Sequence, residues 1–339
     1  MPVHGEPRAT AATSHGPTAA ETASSIEDVA QIRHAPGVEE ACRVFAAMLA
    51  LEVAPRELAT FLAAWRGRRA ALAETTGFMR ALDAHVGRLE MPRDRPRPVL
   101  LPAYHGARRQ SNLTALVALL LQRYGGSVLV HGHSGADATP SAGDEAAANG
   151  IDIGGVTTAD VLWELGIEPA ASLADAQARL VHDRIAYVPA AVLAPGLVRL
   201  LAPPAPLSRW TPGFALAKLI DPFGGDGFRV VGVSPSDDSA AMREFLIASR
   251  GDALFFPGAE GEPFADPRDP PQLEHVAAGV ATPCADAETG AGAGETALPE
   301  ALDAPGIAAW IARVLAGSEA VPAPIIAQLA CCLNGARRP

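Results

Sequence analysis

PVLLPAYHGARRQSNLTALVALLLQRYGGSVLVHG, residues 98–132, is the stretch in which the fold is most legible. Its apolar opening VLLPA has the length of a buried strand, and residues 104–110 form a turn around Gly106. SNLTALVALLLQRYGG then places Leu and Val at helical spacing and closes on Gly125 and Gly126, residues suited to a helix end. Ser111 or Asn112 is positioned to cap that helix, and SVLVHG reads as a second strand. Strand, helix and strand in so short a span form a βαβ unit, which demands parallel pairing and a right-handed crossover.

The same alternation continues downstream. Helices are expected in TTADVLWELG (157–166) and LADAQARLVHD (173–183), a strand in IAYVP, and helices in AAVLAPGLVRLL and FALAKLI. FRVVGVS and DALFFPG read as strands on either side of the helix SAAMREFLIAS, and GIAAWIARVLAG reads as the final helix. Upstream the pattern is purely helical. ACRVFAAMLA (41–50) and RELATFLAAWRGRRAALA (56–73) carry Phe45, Met48, Leu49, Leu58, Phe61, Leu62 and Trp65 at three/four spacing.

MPRDRPRP (91–98) is a charged Pro-rich linker that no helix crosses. The expected organisation is a tail over residues 1–24, a helical domain over 25–90, the linker, and an α/β domain over 99–339 with a mainly parallel sheet flanked by helices. Two segments of the larger domain have no apolar period: an insert loop at 134–155 and a low-complexity stretch at 279–300.

The 339 residues hold 27 basic and 38 acidic side chains, for a net charge of −11, which argues against a uniformly basic surface. The distribution matters more than the total. Residues 54–124 contain 12 arginines against 5 acids, while residues 251–339 contain 12 acids against 4 bases. Hydrophobic content of 49% supports substantial cores, although 70 alanines contribute little apolar area to it. The first residues lack the basic and apolar segments of a secretory signal, and residues 116–121 are too short an apolar run to span a bilayer. Cys42, Cys284, Cys331 and Cys332 form no CxxC pair, so reduced thiols and a cytoplasmic location are expected.

Three motifs stand out: YHGARRQSNLT (104–114), LAKLIDPF (216–223) and EGEPFADP (260–267). With the domain order, they make residues 25 to 278 resemble the class II phosphoribosyltransferases of glycosyltransferase family 3, typified by anthranilate phosphoribosyltransferase. The resemblance is closer still to the YbiB family, nucleic-acid-binding paralogues of those enzymes. It implies a phosphoribosyltransferase or nucleoside-phosphorylase-like fold and a homodimer formed through the helical domain.

Against the enzymes, the chemistry is altered at each station. Their Gly-Thr-Gly-Gly-Asp loop, which cradles a diphosphate, corresponds to His105-Gly106-Ala107-Arg108-Arg109-Gln110, with one glycine instead of three. Asn112 and Thr114 retain part of the adjoining ribose-phosphate motif, and Lys-His-Gly-Asn becomes Val130-His131-Gly132-His133. Ala205 and Pro206 fall where the enzymes grip the anthranilate carboxylate, with Arg209 close by. The adjacent Asp-Glu pair that holds Mg²⁺ corresponds to Glu260 and Glu262, separated by a glycine.

The function so implied is sequence-independent nucleic-acid binding without catalysis. Arg108 and Arg109 would meet phosphates at a helix N-terminus, joined by Asn112, Thr114, His131, Arg209 and Lys218 and by Arg66, Arg68 and Arg69 from the helical domain. Arg93, Arg95 and Arg97 would extend the basic stretch, and Trp65, Tyr104 and Trp210 are candidates for base stacking. No cofactor is expected on this reading. The alternative is a divergent Mg²⁺-dependent phosphoribosyltransferase acting on an aromatic acid or nucleobase, with Glu260 and Glu262 as metal ligands.

Plainer readings accompany these. The Arg66–Arg69 cluster can solvate a helix end, Trp65 continues an apolar stripe, His131 and His133 suit hydrogen-bonded structural roles, and Gly224-Gly225-Asp226-Gly227 suits a turn. Glu260 and Glu262 can also be solvated loop carboxylates.

Overall fold

The computed structural model describes residues 36–66, 69–93, 95–133, 155–201, 213–285 and 298–337. Helices α1 (Val38–Leu49), α2 (Pro55–Arg66) and α3 (Leu72–His85) come first among the described residues. The helix expected over 56–73 is therefore two helices, the first ending at Arg66. Their apolar stripes meet in a cluster of Phe45, Phe61, Trp65 and Phe78, with ring centroids 4.8 to 6.1 Å apart. Trp65 is core, as its place in the stripe suggests, and offers no surface to a base. Gly77 lets α1 and α3 close together, since a Cβ there would lie 2.4 Å from the Val38 carbonyl oxygen.

After the linker come β1 (Val99–Ala103), α4 (Thr114–Arg123), β2 (Val128–Gly132), α5 (Thr158–Glu164), α6 (Leu173–His182) and β3 (Ile185–Pro189). Pro195 divides AAVLAPGLVRLL into α7 (Ala190–Leu193) and α8 (Pro195–Leu201), a break that its missing N–H imposes. Then follow α9 (Gly213–Ala217), β4 (Phe228–Val233), α10 (Ser239–Ala248) and β5 (Ala253–Pro257).

Two features depart from the sequence reading. An antiparallel hairpin, β6 (Leu273–Ala277) and β7 (Val280–Ala285), extends the sheet into the start of the low-complexity stretch. The chain also does not end with α11 (Ala304–Leu315), because a further helix α12 (Ala323–Gly335) packs behind the sheet. Both are Ala-rich, and alanine gives a weak periodic signal.

The seven strands lie in the order β3-β2-β1-β4-β5-β6-β7, parallel from β3 through β5. β1, β2, β3 and β4 are buried along their whole length, as a sheet covered on both faces requires. One core packs α1–α3, α7 and α8 against residues such as Leu100, Leu129 and Val188; the other packs α4, α11 and α12 against Leu101, Val130 and Phe256. The apolar stripes of the N-terminal helices thus belong to this chain's own core, with α1 packed against α3 and α8, and α3 against α10. Successive strands run outward from β1 on one side and from β4 on the other, so the topological switch point lies between β1 and β4. Ligands of open α/β sheets bind beyond the carboxyl ends of the strands at such a point.

Candidate functional site

The segment leaving β1 enters this crevice as residues 104–113, and the segment leaving β5 enters it as residues 258–266. Gly106 takes a positive φ of 68°, turning the chain so that consecutive backbone N–H groups point the same way. Such a concave row of donors is an anion cradle, and in this chain its occupants are two carboxylates of the chain itself.

Glu262 is fully buried. Its Oε1 accepts from the backbone N–H of His105 at 2.7 Å and of Gly106 at 3.0 Å. Its Oε2 accepts from the Thr158 hydroxyl at 2.9 Å, the Asn112 amide at 3.3 Å and the Thr114 hydroxyl at 3.4 Å. Glu260 completes the arrangement: its Oε1 accepts from the N–H of Arg108 at 3.1 Å and of Arg109 at 2.9 Å. Glu260 is held in the left-handed region at φ 52°, a conformation disfavoured for a side-chain-bearing residue. Gly232 and Gly258 make the approach possible, since a Cβ on either would lie 2.3–2.4 Å from the Glu262 carbonyl oxygen.

The loop is clamped from both sides. Ala107 and Val156 exchange backbone hydrogen bonds at 3.0 and 2.9 Å, while the Gln110 amide donates to Asp266 at 3.0 Å. Asn112 Oδ1 accepts from the Thr114 N–H at 3.1 Å in an Asx turn, but the N-cap position of α4 is Leu113 and carries no side-chain cap bond, so neither Ser111 nor Asn112 caps the helix. The Ser111 hydroxyl instead donates to the carbonyls of Pro299 and Ala301.

Several residues grouped as phosphate ligands take other roles. Lys218 does not lie within a helix or line a groove; it follows α9, is fully buried, and ion-pairs with Asp237 at 2.7 Å. Burial pushes its pKa down, against the opposing pull of Asp237 and then Glu262. His131 is buried on β2 and shares a 2.9 Å hydrogen bond with the Tyr104 hydroxyl. Burial lowers its pKa to about 3, so it is neutral and supplies no charge to a phosphate. Tyr104 is core and not a stacking platform. Asn112 and Thr114 are buried and bound to Glu262, and neither meets solvent.

Glu260 and Glu262 are not simply solvated loop carboxylates, because both oxygens of Glu262 and Oε1 of Glu260 accept hydrogen bonds from donors of the chain. That donor arrangement does not suit Mg²⁺, which requires open oxygens in octahedral placement. Among the described residues no cluster of three His, Cys, Asp or Glu side chains is placed to hold a metal ion.

Cations remain at the rim. Arg108 is exposed, and the Arg109 side chain is 87% exposed, 3.7 Å from Glu260. Arg69 lies near Asp238 and Glu244 at 3.8 and 3.7 Å, beyond the carboxyl end of β4. Three other described arginines of the basic segment are engaged elsewhere. Arg97 pairs with Asp252 at 2.6 Å at the opposite, amino end of the sheet, and Arg80 and Arg88 pair with Glu39 and Asp83. Arg68, Arg209, Trp210, Ala205 and Pro206, the side chain of Arg66, and residues 134–154 of the insert lie outside the described residues. The glycines at 224–227 form a turn at the amino end, away from the cradle.

Sequence reasoning missed Thr158, which supplies the shortest side-chain bond to Glu262, and Asp237, the partner of Lys218. Neither belongs to a motif that sets it apart from an ordinary helix-start or turn residue.

No family model matches the chain. In three dimensions it resembles anthranilate phosphoribosyltransferase from Thermus thermophilus, with a TM-score of 0.65 at 22% identity over 92% of this chain and 88% of that one. The Saccharomyces cerevisiae enzyme, solved in complex with PRPP and Mg, gives a TM-score of 0.65 at 13% identity over 94% and 90%. These establish the fold. No helix among the described residues is long and apolar enough to cross a membrane. YbiB of Escherichia coli (strain K12) is 34% identical over 297 residues, spanning 86% of this chain and 85% of its own. With an anthranilate phosphoribosyltransferase scaffold whose anion cradle is filled from within, this chain belongs to the YbiB family.

Proposed function

We propose that this protein is a non-catalytic, sequence-independent nucleic-acid-binding protein on a phosphoribosyltransferase-like scaffold. The observation that carries the reading is the division of labour at residues 104–110. The backbone donors of His105, Gly106, Arg108 and Arg109 are engaged by Glu260 and Glu262, while the side chains of Arg108 and Arg109 extend outward. A diphosphate entering the cradle would have to expel a buried carboxylate and would meet like charge. A nucleic-acid backbone passing outside meets guanidinium groups at no such cost.

Few cations meet at this rim among the described residues, and Arg69 and Arg109 have acidic neighbours, so affinity is modest. Arg268 reaches the same edge, its guanidinium donating to the Arg109 carbonyl at 3.4 Å, and with Arg108 and Arg109 it suggests about three phosphate contacts, for which affinity falls by about 40-fold from 50 to 200 mM salt. Homodimerisation belongs to the same proposal and is checked by light scattering. Fluorescence anisotropy with labelled single- and double-stranded oligonucleotides at the two salt concentrations tests the function. Binding at low salt that is lost in Arg108→Ala/Arg109→Ala supports it. Unchanged binding in that variant, or Mg²⁺-dependent consumption of phosphoribosyl diphosphate by the wild type, overturns it.

A further inference from the structure

The four cysteines carry no motif, yet two of them are brought together by the hairpin and the last helix. Cys284 lies on β7 and Cys331 on α12, 47 positions apart, with Sγ atoms 2.7 Å from each other. The β6–β7 register slips at this point: Leu273 faces Ala285 and Glu274 faces Pro283, leaving Cys284 as the extra residue of a bulge. Bulges re-aim side chains, and here the residue meets the helix packed beside the sheet. Cys284 is exposed and Cys331 half-buried, so a small oxidant reaches the pair, whereas Cys332 is enclosed in the core.

We propose that Cys284 and Cys331 are a modification site: a thiol pair that a low-molecular-weight disulfide such as glutathione disulfide oxidises to an intramolecular cross-link. In the first step the Cys331 thiolate attacks one sulfur of glutathione disulfide, forming a mixed disulfide and expelling glutathione thiolate. In the second, Cys284 loses its proton and its sulfur attacks the Cys331 sulfur, expelling the second glutathione. Two protein thiols are oxidised, one glutathione disulfide is reduced, and the two thiol protons end on the two glutathione molecules.

The order of attack follows from the pair's hydrogen bond. The Cys284 S–H donates to the Cys331 sulfur, which holds the Cys331 thiol below its ordinary pKa and raises that of Cys284. Burial raises Cys332 and keeps it a poor nucleophile. The product would tie the outer hairpin of the sheet to α12, fastening an edge strand that otherwise has one hydrogen-bonded neighbour.

The test incubates the full chain with glutathione disulfide, blocks remaining thiols with an alkylating reagent, and reads intact mass and a peptide map. Alkylatable cysteines should fall from four to two, with Cys284 joined to Cys331 and full recovery on reduction. Cys284→Ser, an exposed substitution, should abolish the cross-link and accumulate the glutathione adduct at Cys331. Four alkylatable thiols after oxidation, or a map joining a different pair, overturns the proposal.

Discussion

Replacing Glu262 by alanine tests whether the cradle is held by its internal carboxylate. The substitution removes the acceptor from two backbone N–H groups, at 2.7 and 3.0 Å, and from three side-chain donors. Thr158 and Thr114 can turn their hydroxyls elsewhere, but the His105 and Gly106 N–H groups are fixed. A buried donor left without a partner costs about 1–3 kcal/mol. Two of them, less the relief of no longer burying a carboxylate, give a destabilisation of about 3 kcal/mol, or roughly 4–6 °C in Tm for a chain of this length.

The distinctive consequence is rescue. Formate supplies the missing carboxylate, and at ten times its Kd it restores about 1.4 kcal/mol, or roughly 2–3 °C. Thermal melts of wild type and Glu262→Ala at constant ionic strength, with formate exchanged for chloride, read this directly. Glu262→Gln, which keeps an oxygen for the two N–H groups, should melt between the two. A variant that melts within a degree of wild type, or formate that raises wild type equally, would contradict this account of the cradle.

Three further expectations follow from the packing. His131, neutral down to about pH 3, and His105, pushed well below its ordinary value by burial and then by Lys218, both lie below their unfolded pKa. The unfolded chain therefore takes up protons that the native chain refuses as pH falls below 6.5, and stability falls with it. Each histidine contributes about 1 kcal/mol between pH 6 and pH 5; urea unfolding at both values should show the loss, and a His131→Asn variant with an unchanged slope would contradict it. Trp65→Ala, which empties the aromatic cluster of the helical domain, should cost about 3–5 kcal/mol by denaturant unfolding. Gly77→Ala should cost about 1–3 kcal/mol by the same measurement, because its Cβ would meet the Val38 carbonyl oxygen at 2.4 Å.

Local sequence was enough to specify the parallel sheet and the presence of the N-terminal apolar stripe, whereas the packing of that stripe inside this chain emerged only in three dimensions. Buried strands such as VLLPA and IAYVP are continuous apolar runs, and Phe61 and Trp65 sit at i, i+4 on α2 while Phe45 lies on α1. These signals are written in consecutive residues, and their physical basis is burial. The reading of AAVLAPGLVRLL as one helix passed over the break that Pro195 imposes, and the outer hairpin and α12 left little trace, because alanine and glycine give periodicity little contrast.

The site was legible as a place and not as an arrangement. The motifs at 104–114 and 260–267 marked the residues that meet, and the charge count marked Arg108 and Arg109. Which way each charge points emerged only in three dimensions. Glu262 faces donors 150 residues away in sequence, Lys218 turns into the core toward Asp237, and Arg97 leaves for the other end of the sheet. A carboxylate two residues from another reads as a metal ligand or a solvated pair until the glycines at 232 and 258 are seen to admit its backbone against the sheet. Long-range pairing of this kind depends on close approach and shared burial between distant segments, and no local pattern encodes either.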